Sequence, residues 1–316
     1  LTGGVYSQSQ DDIDYLMPRM QCGNIYINRP NTGARVGIEP FGGFKMSGTG
    51  PKAGGKDYLK AFCRLDKEQI IEEHGKVFEL QSTDRLGAMV LSSQRGWKQR
   101  YQILHDLLPL IEKDIDQYLS VKTLGDDSFW HSLKEFFLNP QQQIHKLEFP
   151  NRYIPGQLSY DKKDMGSESV LMLTVQSALT ADQLVYFLMN LLIGNGQTIA
   201  CGNKQIASLW KKLVAQAYKV GFAIEDVQAL HTTPSMVKQL FEREFSIVLL
   251  DPGLKELDEM VKQGLCNRFE RFLRKIIICG EKTQMGEWYD YYDQLTLTRS
   301  YAINTMRHGA PLELSL

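Results

Sequence analysis

The sequence predicts an α/β protein whose first sixty-odd residues differ in character from the rest. Three observations predict it. From about residue 168, short apolar runs alternate with stretches of three- and four-residue apolar periodicity, the pattern that builds a parallel sheet with helices on its faces. Residues 1–66 are rich in glycine and read as short strands and loops. The tail around Leu297 to Ile303 alternates as an extended terminal segment does.

Taken in order, Asp11 to Met20 predicts a short helix, with Asp11 or Asp12 as cap and Ile13, Leu16 and Met17 as its apolar stripe. Asn24 to Asn28 alternates as a strand. A long loop follows from Arg29 to Lys56 with eight glycines. A loop of this length inside a compact domain is functional or disordered as a rule, and Phe41 and Phe44 argue against disorder. Residues 67–84 are polar and charged and read as a linker. Trp97, Tyr101, Leu104, Leu108, Ile111 and Ile115 then mark an amphipathic helix, with a kink or break expected at Pro109. Gln141 to Gln143 is a short loop tract.

The alternating part predicts strands at Val170 to Val175, Thr198 to Cys201, Val227 to Leu230, Ser246 to Leu250 and Lys275 to Cys279. Helices fall between them at Thr180 to Leu192, Ile206 to Val220 and Met236 to Phe241. In the tail, Leu295, Leu297, Tyr301 and Ile303 lie on one side of an extended segment, with Arg299 out of pattern. Left alone, such a strand is an exposed edge, so it is expected to pair with its own sheet or a neighbour.

Composition narrows the classes. The 316 residues suffice for one large domain or two modest ones, and the formal net charge of -1 gives no electrostatic reason to expect nucleic acid or an anionic membrane as partner. The most apolar stretch, Leu184 to Ile193, is too short to span a bilayer and is interrupted by Asn190. The chain opens Leu1-Thr-Gly-Gly-Val-Tyr6, without initiator Met or signal-type core, so residue 1 is expected not to be the natural start. Cys22, Cys63, Cys201, Cys266 and Cys279 are scattered and odd in number, which reads as reduced thiols of a cytoplasmic protein. The six histidines are dispersed, so no metal site is expected. The aromatic, acidic run Glu287 to Asp293 lacks the basic residues of a nucleic-acid platform and reads as a packing surface.

One motif carries chemistry. Glu39-Pro-Phe-Gly-Gly-Phe-Lys-Met-Ser-Gly48 resembles the C-terminal signature of the aldehyde dehydrogenase superfamily. Thr49-Gly-Pro-Lys-Ala-Gly-Gly-Lys-Asp-Tyr-Leu59, with Gly23 to Arg29 and Asn31 to Gly33, is similar to its glutamate-semialdehyde (pyrroline-5-carboxylate) dehydrogenase branch. The resemblance covers about residues 1–65. It implies that Gly54 and Gly55 offer backbone N–H groups to the α-carboxylate of glutamate semialdehyde, that Phe62 packs on its aliphatic chain, and that Phe41 sits nearer the nicotinamide and nucleophile. Two adjacent glycines serve either such an anion nest or simply a turn with positive φ, and both readings stand at this point. The superfamily's cysteine nucleophile, glutamate base and nicotinamide site all lie upstream of this loop, and Cys22 and Cys63 do not sit in the nucleophile motif; each reads as a small hydrophobe.

Residues 85–316 also resemble an aldehyde dehydrogenase fold, in a worn form. The helix from Trp97, Pro155 to Tyr160, the strand at Val170 and Leu191 to Asn195 follow the order of the cofactor domain, and Leu297 to Thr305 resembles the oligomerisation-flap strand. The whole is similar to the longer forms of proline utilization A, a family of bacterial bifunctional flavin- and nicotinamide-dependent enzymes. The fold implied is α/β: the end of an aldehyde dehydrogenase catalytic domain (1–66), a linker (67–84), a degenerate, Rossmann-like aldehyde-dehydrogenase-like domain (85–294) and a C-terminal β-flap (295–316). The departures are specific. Lys204 stands where the family's ribose lysine would, as remnant or as solvated helix start; Gly194-Asn-Gly196 is no G-x-G-x-x-G fingerprint; Cys266 has no nucleophile context.

The resemblance therefore implies NAD in the intact parent and FAD in its proline dehydrogenase domain, with no cofactor expected in this chain. The partners implied are the rest of the parent polypeptide, glutamate semialdehyde, and a further copy through the flap. A stand-alone pseudoenzyme, or a small-molecule-binding or oligomerisation module, is the alternative.

Overall fold

A computed structural model describes residues 1–48, 50–55, 58–62, 97–114, 127–138, 152–164, 168–174, 179–224, 226–241, 243, 245–251, 275–279, 288–307 and 310–311. The expected linker 67–84, Cys63, Gln141 to Gln143, Cys266 and Glu287 lie outside the described residues. The strands are β1 (Thr2–Val5), β2 (Asn24–Ile27), β3 (Arg152–Ile154), β4 (Gln157–Asp164), β5 (Ser169–Thr174), β6 (Gly196–Cys201), β7 (Val227–His231), β8 (Ile247–Leu250), β9 (Lys275–Ile278), β10 (Leu297–Asn304), β11 (Met306–Arg307) and β12 (Ala310–Pro311). The helices are α1 (Gln10–Leu16), α2 (Trp97–Lys113), α3 (Asp127–Leu138), α4 (Ala181–Ile193), α5 (Lys204–Val220), α6 (Pro234–Phe241) and α7 (Trp288–Leu295).

The chain divides into two compact units: residues 1–66, 144–164 and 297–316 form one, residues 67–143 and 165–296 the other. The division cuts across the linear order. Pro155 to Tyr160, read from sequence with the cofactor-type region, belongs with the first residues of the chain.

The first unit is a mixed sheet of order β1-β2-β10-β4-β3. β10 is inserted parallel to β2, with Ser300 opposite Asn24, and antiparallel to β4, with Ser300 opposite Asp161. Because side chains alternate across a strand, the register gives the sheet an apolar face and a polar one. Val5, Ile25, Ile27 and Tyr301 pack with Ile13 of α1, joined by half-buried Met17, Met20, Cys22, Tyr160 and Ile303. Tyr160 and Tyr301 are register partners, and their rings stack at 4.9 Å. The polar face carries Asn24, Ser300 and Asp161 in one cross-strand row, all buried. α1 is shorter than expected and is capped by Ser9, whose hydroxyl accepts from Asp12 N–H. Asp11 and Asp12 instead occupy its first turn, where carboxylates suit the positive end of the helix dipole. Leu295 is not part of the terminal strand; it is the fully buried last residue of α7.

In the second unit all five strands are parallel, in the order β7-β6-β5-β8-β9. Every strand and helix expected between residues 168 and 279 is present, with no bound displaced by more than two residues. The strands carry the near-continuous apolar runs of a sheet covered on both faces. α4 opens on a capping box of Thr180 and Gln183 and ends at Gly194, which takes the left-handed conformation at φ 90°. α2 runs unbroken through Pro109. Pro109 and His105, whose carbonyl a proline at i+4 cannot serve, are both exposed, so water can take that carbonyl; the buried stripe Leu104, Leu107, Leu108 and Ile111 holds the helix together.

Candidate functional site

The loop after β2 folds back over the polar face of the first sheet, and its fastenings start from β2. Asn24 is buried; its amide donates to Pro40 O at 2.9 Å, and its Oδ1 accepts the Gly42 N–H at 3.2 Å. Gly23 must be glycine because a Cβ there would lie 2.0 Å from Gly42 O. Phe41 and Ala53 exchange both backbone hydrogen bonds, at 2.9 and 2.8 Å, closing the loop on itself.

Glu39 is the second fastening. Its carboxylate, nearly fully buried, accepts from Arg29 at 2.8 Å, from the Arg35 N–H at 2.9 Å, from the Arg35 guanidinium, and from Gln157 on β4. Burial pushes this carboxyl upward, but the donors from Arg35, Gln157 and Arg29 outweigh it and hold the pKa at about 2. Sequence reading noted Glu39 only as the first letter of a motif; its role shows once Arg29, Arg35 and Gln157 converge on it.

Lys52 is the third. Its Nζ donates to Gly23 O and Gly42 O, both at 2.5 Å, and to Asn24 Oδ1 at 3.2 Å. Burial pulls its pKa down to about 7, opposed by the Asp161 carboxylate. Residues 52–55 then turn: the Gly55 N–H donates to Lys52 O at 2.9 Å, and Gly54 has φ 74°, the backbone that the third position of a type II turn requires. The turn reading of these glycines thus describes their conformation. Gly54 O accepts from Gly37 N–H at 3.1 Å, and among the described residues the Gly54 N–H has no acceptor, so of the two N–H groups it is the one still to be used.

Phe41 is half-buried at the bridge, whereas Phe62 stands 71% exposed on the short 3-10 helix Tyr58–Phe62, touched edge-on by Tyr58 at 5.2 Å. Val36, Met46 and Leu59 are exposed near them in sequence. Cys22 packs toward the α1 side of the sheet, and burial raises its thiol pKa, the opposite of an activated nucleophile.

In the second unit a buried polar cluster joins the end of β5 to α4 and Asp251. In open parallel sheets ligands bind at the carboxyl ends of the strands, at the switch point of strand order. Here that point lies between β5 and β8, and buried side chains occupy it: Thr174 donates to Asp251 at 3.3 Å, and Gln183 donates to Thr174 at 3.2 Å and to Asp251 at 3.4 Å. A buried carboxylate there opposes a pyrophosphate. Gly194 and Gly196 lie at the other edge, between the end of α4 and the start of β6. Lys204 is exposed at the first position of α5, behind the Asn203 cap. No three or more His, Cys, Asp or Glu among the described residues group to hold a metal, and no helix among them is long and apolar enough to cross a membrane.

Comparison with known proteins bears on the loop directly. Residues 1–67 match the aldehyde dehydrogenase family. Within that segment the chain is 56% identical over 59 residues to 1-pyrroline-5-carboxylate dehydrogenase of Bacillus licheniformis, covering 19% of this chain and 11% of that protein. The corresponding Bacillus pumilus protein matches equally, with 12% of it covered. The chain thus spans only about a tenth of the curated relatives it matches. Among solved structures, proline utilization A with proline bound in remote sites aligns at a TM-score of 0.44 and 14% identity, over 59% of this chain and 20% of that one. The tethers within residues 23–55 fall inside the segment matched to the aldehyde dehydrogenase family, whereas Gln157, which donates to Glu39, lies outside it.

Proposed function

We propose that this chain is the C-terminal part of a polypeptide that oxidises L-glutamate γ-semialdehyde to L-glutamate with NAD, and that it supplies the loop that anchors the aldehyde's carboxylate. The observation that carries the reading is the loop 39–55. Three buried polar hubs, Asn24, Glu39 and Lys52, hold it in one conformation inside the segment matched to the family. So many tethers on a glycine-rich loop are what a preorganised binding element requires.

In this reading the Gly54–Gly55 turn receives the carboxylate, with Gly54 N–H as first donor. Phe62 and Phe41 face the substrate once the rest of the catalytic domain stands against the loop. The nucleophile, base and NAD belong to the upstream part of the polypeptide, where NAD supplies the hydride acceptor; this chain's share is binding and orientation. A proline dehydrogenase domain with FAD lies further upstream, and the product of its oxidation is the precursor of this substrate.

The second unit is a non-catalytic structural domain, and the terminal strand β10 completes the sheet of the first unit by strand addition between β2 and β4. Pairing with a second copy requires β10 to leave this sheet, which its twelve register pairs oppose.

The test is to express the complete coding sequence that contains this chain and follow NADH formation with glutamate semialdehyde. Turnover in the complete polypeptide and none in residues 1–316 alone supports the reading. Absence of turnover in the complete polypeptide discards it in favour of a pseudoenzyme or binding module.

A further inference from the structure

Lys52 is bound to no substrate in the reading above, yet it is the residue on which the anchor turn is mounted. We propose that Lys52 is a positioning residue for the anchor turn, and that Asp161 on β4 is the counter-charge that keeps it in place. The proposal rests on the reading of turn 52–55 as a carboxylate anchor.

The geometry is that of an ammonium socket. An ammonium has three N–H donors, and Lys52 meets three acceptors: Gly23 O, Gly42 O and Asn24 Oδ1. These acceptors differ in what else they hold. Gly23 O also accepts the Ser300 N–H at 2.9 Å, and Asn24 Oδ1 also accepts the Gly42 N–H at 3.2 Å. One side chain therefore joins three things: the start of β2, the inserted strand β10 through the shared Gly23 carbonyl, and the near arm of the loop at Gly42. The far arm is Lys52's own backbone, whose carbonyl closes the Gly54–Gly55 turn. If the Nζ leaves, the turn loses its fixed distance from β2 at the residue next to the glycines.

A buried ammonium needs an opposite charge nearby. Asp161 is buried and lies in the cross-strand row Asn24, Ser300, Asp161, on the face over which the loop folds. Its charge acts to keep Lys52 protonated, against burial and against Arg299. The residue that steadies the loop electrostatically thus comes from a segment more than a hundred positions later in the sequence. The side chain points down into the sheet and not toward the open side of the turn, so Lys52 acts through the loop and is not a catalytic residue.

The experiment uses the complete polypeptide and two aldehydes: glutamate semialdehyde, and butanal as an aldehyde with no carboxylate. Lys52→Met is expected to raise KM for glutamate semialdehyde by about tenfold, with kcat within about threefold and KM for butanal unchanged, the signature of lost ground-state positioning. Asp161→Asn is expected to move the same KM in the same direction by about threefold. An unchanged KM in Lys52→Met overturns the proposal, as does an equal rise for both aldehydes, which marks a merely structural role. If Lys52→Met does not fold, Asp161→Asn decides, and an unchanged KM there overturns it. A wild-type polypeptide that does not oxidise glutamate semialdehyde overturns the functional reading itself, and that failure shows before any variant is made.

Discussion

Arg299 donates through Nη1 to the carbonyl of Met20 at 2.6 Å, although 279 positions separate the two in sequence. The bond is one of several by which the last strand locks onto the first residues of the chain. Ser300 N–H reaches Gly23 O at 2.9 Å, and Asn304 reaches Asn28 O at 3.0 Å. β10 is a central strand of the first unit, so its loss opens the sheet between β2 and β4. Truncation after Thr296 is expected to lower the Tm of the complete polypeptide by more than about 10 °C, since 1 kcal/mol alone moves Tm by about 2–4 °C in a domain of this size. Turnover should fall with it. Thermal unfolding and NADH formation on the truncated protein check this; equal Tm and turnover would show that β10 is dispensable.

Glu39→Gln tests the second tether. The substitution leaves Arg29 and Arg35 facing a neutral amide in a buried site, which costs about 3 kcal/mol. The pH dependence has a definite sign. The folded carboxyl sits at about 2, below its ordinary 4.5, so Glu39's contribution is complete above about pH 4.5. It declines as pH falls below that value and is gone once pH has passed through 2. Acid titration followed by tryptophan fluorescence should show Glu39→Gln with a shallower loss of stability between pH 4.5 and 2 than wild type.

Gly23→Ala and Gly54→Ala separate close approach from backbone conformation. At Gly23 a Cβ meets the Gly42 carbonyl oxygen at 2.0 Å, and neither backbone can yield without breaking the Asn24 and Lys52 bonds. A loss of about 2–3 kcal/mol is expected, with a raised KM. At Gly54 the nearest atoms lie at 3.2 Å, and the penalty is that of an L-residue at φ 74°, about 1–2 kcal/mol. Urea midpoints of the two variants rank them; Gly54→Ala proving the more damaging would contradict the packing argument.

In the second unit, Arg100 holds the end of α4. Its Nε donates to Leu192 O at 2.8 Å and its Nη2 to Ile193 O at 2.6 Å, in the last turn, where carbonyls lack helix partners. A cation there also meets the negative end of the helix dipole. Arg100→Met is expected to destabilise by about 3 kcal/mol, and Arg100→Lys to recover less than half, because one ammonium cannot reproduce the fork. Chemical denaturation of the three proteins measures both effects.

Much of the second unit was legible because its signals are local. Thr180 and Gln183 sit three residues apart as a capping box, Gly194 follows the last apolar residue of α4, and each parallel strand is a compact apolar run. The misreadings have physical causes. Ser9 precedes two aspartates that look like better caps but lie two and three residues too far in. Pro109 breaks helices in general, yet here it falls on an exposed face above a fully buried stripe. β4, with Asp161, Lys162, Lys163 and Asp164, carries too few apolar residues to announce a strand, and its pairing with β10 and β3 makes it one. The loop motif was legible as a resemblance, but its hubs were not. Lys52 and Glu39 look like surface charges until Gly23, Gly42, Arg29 and Gln157 are brought round them by contacts no local pattern encodes.

The placement of β10 also sets an order of events on the ribosome. The strands of the second unit and the helices between them come from one stretch, residues 169–278, and can pair as they emerge. β2 and β4 must wait: the strand that belongs between them is made only when synthesis reaches residue 304. Until then the loop that ends in Gly54 and Gly55 has no finished floor beneath it. The nascent polypeptide can hold a folded second unit well before the loop 39–55 is set, so a pause or a premature stop near the end of translation leaves the sheet of the first unit without its central strand and spares the second unit.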